Sequence, residues 1–118
     1  MTYDIDAAAK RYLDIWIHLL DLKRWSVVFS VVDDPIESNN QLTADNTYQI
    51  SRGVGASHIR LYRPHLRSNR DVEEAVIHEL LHLYDHGLGL PPALHRFIAR
   101  LERPLRLARK RASTQRVK

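Results

Sequence analysis

The chain has 118 residues, 44% hydrophobic and 27% charged, which suits one domain with a buried core and argues against disorder of the whole chain. It contains no cysteine, which excludes a disulfide framework, a Cys-ligated zinc site and thiol catalysis. Its net charge of +4 is lopsided: residues 1–102 carry eleven Lys/Arg against fourteen Asp/Glu, and residues 103–118 carry seven bases and no acid, so a uniformly basic domain that coats nucleic acid is disfavoured.

In chain order, residues 4–22 read as an amphipathic helix. Ile5, Ala8, Ala9, Tyr12, Leu13, Trp16, Leu19 and Leu20 recur at helical spacing. Trp25 to Val32 is a β-branched and aromatic run in which Trp25, Val27, Phe29 and Val31 share one face of a strand, and Asp33-Asp34-Pro35 stops it. The polar stretch from Glu37 to Asn46 reads as loop or hairpin turns. Thr47 to Ser51 alternates again, and Arg52-Gly53-Val54-Gly55 turns the chain into a third strand, His58 to Tyr62. Ser68 with Asp71 is a capping-box pattern that opens a helix over about residues 70–87, ended by Gly87 and Gly89. Pro91-Pro92 opens a last helix with Leu94, Phe97, Ile98 and Leu101 on one face. Pro104 is expected to kink or interrupt it. The order predicts an α+β domain over residues 1–108, followed by a basic, frayed tail over 109–118. Met1 to Asp6 shows no secretory h-region, and no apolar run approaches the ~20 residues of a membrane span, so a cytoplasmic protein is expected.

The chemistry concentrates in His78-Glu79-Leu80-Leu81-His82. Histidines four apart lie one turn apart on one helix face, where both imidazoles reach a single zinc ion, and the glutamate between them stands where it can take a proton from metal-bound water. At roughly 100° per residue, His82, His86, Glu79 and Asp85 all fall within about 100° of His78, while Val72, Val76, Ile77, Leu80, Leu81, Leu83, Tyr84 and Leu88 fill the opposite arc. Burying such a polar stripe without ligands or partners is costly. Asp85 and His86, one turn beyond His82, are candidates to orient a ligand from outside, since metal-bound imidazoles donate their other N–H to an acceptor.

A catalytic zinc takes three protein ligands and keeps one open position. Two candidates for the third lie on the following helix, Glu102 and His95. If the two helices form an antiparallel hairpin, positions level with His78 and His82 fall at roughly 97–101, between the candidates and closer to Glu102. Glu102 is also the only acid after Asp85, standing among Arg96, Arg100, Arg103 and Arg106.

Val76-Ile77-His78-Glu79-Leu80-Leu81-His82-Leu83 resembles the active-site helix of compact zincin metallopeptidases, and the element order is similar to minigluzincin-type domains and phage-like relatives. The resemblance implies zinc on His78, His82 and a third residue from the next helix, with Glu79 polarising the water. It also implies a sheet edge that pairs with an extended substrate, here roughly His58 to Arg63. The chain departs from ImmA-like relatives, which carry a Glu where Pro91 stands. His95-Arg96-Phe97 only loosely resembles the third ligand of SprT-like relatives, and Asp85 and Leu88 exclude the metzincin extension.

The expected function is a zinc-dependent metallopeptidase acting on a peptide or protein substrate. The rivals are a zinc-binding scaffold without turnover, and a DNA-associated protease that docks on nucleic acid through the basic tail. Trp16 and Trp25 read as core anchors and His18 as a surface residue. His58 and His65 flank the proposed edge, where either could assist an oxyanion.

Overall fold

The computed structural model describes residues 3–37, 42–52, 54–88 and 94–116, except for the side chains of 84–88, 94–99 and 113–116. Helix α1 (Ile5–Leu19) is followed by strands β1 (Trp25–Val32), β2 (Ala44–Ser51) and β3 (Val54–Tyr62). A short 3-10 turn (Arg63–His65) leads to helices α2 (Asn69–Leu88) and α3 (Leu94–Arg116). This is the expected α+β arrangement, three helices with a small mixed sheet.

Local chemistry sets the ends of α1. The Asp4 carboxylate accepts from the Ala7 amide at 3.1 Å. At the other end Asp21 takes a left-handed φ of 54°, and the Leu22 amide returns to the Ile17 carbonyl at 2.9 Å. The predicted stripe is buried from Ile5 through Trp16, whereas Leu19 is exposed. The capping pattern of α2 is present as well: the Asp71 amide donates to Ser68 Oγ at 3.3 Å, and the Asp71 carboxylate accepts from the Arg67 amide at 3.0 Å.

The sheet has the order β1-β3-β2, with β1 parallel and β2 antiparallel to β3. Trp25, Val27, Phe29 and Val31 pack against the core, level with Gly55, Ser57, Ile59 and Leu61 of β3. Gly55 is required there, because an added Cβ would run into the Trp25 ring. Two expectations need correcting. First, His58 to Arg63 is not a sheet edge: β3 is paired on both sides over residues 55–61, and the edges are β1 and β2. Second, β2 begins at Ala44, inside the stretch read as loop. Ala44 is buried there, and the Asn46 side chain finds tertiary partners that outweigh its turn preference.

The core lies between the sheet and α1 and α2. Val72, Val76, Ile77, Leu80 and Leu83 are fully enclosed, so α2 is the central element. Helix α3 packs on α2 and adds Leu101 and Leu105 to the edge of the core. It passes through Pro104 without a break and continues to Arg116, so the expected interruption and the frayed end after Ala108 are both replaced by helix. Arg106 and Arg109 hold this part of α3 onto α2. No helix among the described residues is long and apolar enough to cross a membrane.

Candidate metal centre

Because α2 is buried on its apolar arc, His78 and Glu79 lie on the side where α3 and the start of β2 meet it, with His82 beside them. His78 Nε2 lies 3.2 Å from His82 Nε2. The two rings meet edge to face, with centroids 4.9 Å apart. Ligand atoms of His78, Glu79 and His82 all fall within 4.8 Å of one another. Bonds of ~2.0–2.1 Å to a tetrahedral zinc would hold two nitrogens about 3.3 Å apart, a separation that the imidazole pair matches. The donor set is nitrogen and carboxylate oxygen, which suits zinc in a hydrolytic site.

Of the two candidates for the third position, Glu102 is brought to the site. Its Oε2 lies 2.8 Å from Nδ1 of His78, the ring nitrogen turned away from His82. In this arrangement Glu102 fixes the tautomer and ring angle of His78, the relation of a carboxylate to a metal-bound imidazole. The side chains of His95, Asp85 and His86 lie outside the described residues.

Glu79 is only 5% exposed. Burial pushes its carboxyl up to about 7, against the pull of His78, and the charges of Asp45 and Glu102 add to the rise. Burial works against protonating His78, but the hydrogen bond to Glu102 and the charges of Glu79 and Glu102 outweigh it, so its pKa lies above the usual histidine value. A cation bound by the two imidazoles would compete with the proton on His78.

The site opens into a cleft of about 350 Å³, walled by Leu42, Thr43 and Ala44 on one side and by Glu74, His78, Glu79 and Glu102 on the other. Sequence reasoning missed the connection between the walls. Asn46 on β2 donates to the Glu79 carbonyl at 3.2 Å and accepts from buried Ser57 at 2.6 Å. Its only sequence signal was the alternation of Ala44, Asn46, Tyr48 and Ile50, which a polar residue obscures. The two histidines proposed beside the sheet separate. His65 lines the cleft, with Nδ1 3.3 Å from Thr43 Oγ1, whereas His58 lies on the opposite face of the sheet beside Ser30.

Comparisons with protein-family models, with curated proteins and with solved structures find no match.

Proposed function

We propose that the protein is a zinc-dependent metallopeptidase of the compact zincin type. The observation that carries the reading is the His78–His82 pair, 3.2 Å apart at a cleft with the Glu79 carboxyl buried beside it. Zinc in such a site lowers the pKa of water and polarises a carbonyl. His78 and His82 would hold the ion. Glu102 would either complete the donor set or orient His78 from its Nδ1 side, and the 2.8 Å contact favours the orienting role. Glu79, whose carboxyl sits near neutrality, is matched to accept a proton from the attacking water and return it to the leaving amine. The outer edge of β2, the strand that Asn46 ties to Glu79, pairs with no other strand among the described residues and is the surface along which an extended peptide would lie.

The test is peptide hydrolysis by the zinc-loaded full chain and its Glu79→Gln variant. The reading predicts that the variant keeps its zinc and loses at least about a hundred-fold in rate, the scale of general-base catalysis. A native protein that binds zinc but cleaves no peptide library would support a scaffold without turnover instead. His58→Ala, on the far face of the sheet, should leave the rate unchanged.

A further inference from the structure

Resting on the metal-centre part of that reading, we infer that Arg109, with Glu73 as its counterpart, is a positioning residue for the site: it sets the register of α3 so that Glu102 meets His78. Side chains pair in descending order along α2 as they ascend α3. His78 meets Glu102 at 2.8 Å, Glu74 meets Arg106 at 3.7 Å, and Glu73 meets Arg109 through both guanidinium nitrogens Nε and Nη2. The rungs differ in quality. Arg106 Nε has no hydrogen-bond partner among the described residues, so its contact with Glu74 is a loose charge pair. The Glu73–Arg109 rung is bidentate, and its carboxylate is 2% exposed.

That last rung is also fixed to the rest of the fold. Glu73 accepts from Trp16 Nε1 at 2.8 Å, and the Arg109 guanidinium lies over the Tyr12 ring at 5.6 Å, both on buried α1. Three helices therefore converge about 10 Å along α3 from Glu102, at 1.5 Å per residue. Their convergence excludes the neighbouring registers. A slip of one turn would put Ile98 or Arg106 opposite His78, and either an apolar side chain or a second cation there would weaken cation binding.

The experiment is zinc titration by calorimetry of metal-free native protein, Arg109→Ala, Glu102→Ala and the double variant, at 10 °C with helix content checked by circular dichroism. Removing a positive charge should by simple electrostatics tighten binding of a cation. Positioning predicts the opposite sign: Arg109→Ala weakens zinc about ten-fold, the loss typical of an outer contact, and has almost no effect once Glu102 is alanine. Unchanged or tighter binding in Arg109→Ala, or an equal loss in the Glu102→Ala background, would overturn the inference. If Arg109→Ala does not fold, Arg109→Lys serves in its place: it keeps the charge, loses the bidentate fork, and should show a smaller loss that again disappears without Glu102. A metal-free readout separates this inference from the functional reading. The imidazole ¹⁵N signals of His78 report its Nδ1 contact with Glu102. Loss of that signature in the Arg109 variant upholds positioning even in a chain that binds no zinc, and its retention refutes it.

Discussion

Asn46 shows how much of the site depends on one side chain whose role has no local signature. With one amide it satisfies the hydroxyl of buried Ser57 and reaches the carbonyl of Glu79, joining the edge strand to the motif helix at the proposed general base. Asn46→Ala leaves Ser57 without its acceptor, so a loss of about 1–3 kcal/mol is expected in urea unfolding. The peptidase reading adds a rise in KM, because β2 then moves relative to Glu79. Gly55 makes a steric counterpart: Gly55→Ala forces the Trp25 ring off β3 and should cost about 1–3 kcal/mol, seen as a lower midpoint with unchanged m-value. His78, Glu79 and His82 were legible because their relation is local, three residues within five positions of one helix. Asn46 and Ser57 were not, because their partnership crosses two strands and a helix, and a lone asparagine in a polar stretch carries the statistics of a turn.

Helices and strands were legible in proportion to the strength of their period. β1 appears with its expected ends, and α1 and α2 within a few residues of theirs, because apolar spacing and capping residues both mark them. The topology was not legible: parallel pairing of β1 with β3 makes β3 central, and the edge proposed for an extended substrate is therefore that of β2. Helix α3 departs furthest from its sequence. Proline costs about 3 kcal/mol in a helix interior, yet Pro104 stands between Glu102 and Arg106 without ending the helix. The contacts to α2 on both sides offset that cost, which propensity alone cannot anticipate. Pro104 is exposed, so Pro104→Ala should restore an amide donor and raise stability by about 1–3 kcal/mol in thermal melts. A melt at the native temperature would show that α3 gains nothing from a continuous ladder at this point.

Over the whole molecule, the lopsided charge has a structural use. Of the seven bases after Glu102, Arg106 and Arg109 turn inward onto Glu74 and Glu73, while Arg103, Lys110 and Arg111 stay exposed. The basic end is thus partly a fastening for the acidic body. The same body sets a pH dependence. Glu79 and His78 both bind protons more tightly folded than unfolded, Glu79 with a pKa of about 7 against a reference of 4.5. Their contribution to the metal-free protein is therefore complete at low pH and is lost as pH rises, for Glu79 between about 4.5 and 7. Zinc on His78 and His82 would act in the opposite sense, since it requires deprotonated imidazoles, so zinc-induced stabilisation should grow as pH rises through and above the usual histidine range. Urea unfolding at pH 5 and 8, with and without zinc, checks both slopes. The most direct test of the central claim, that His78 and His82 share one metal ion, is calorimetric zinc titration of the native chain and of His78→Ala and His82→Ala. One zinc per chain, with each substitution weakening binding by more than about a hundred-fold, is predicted. A native chain that takes up no zinc, or single variants that bind it as the native chain does, would contradict it.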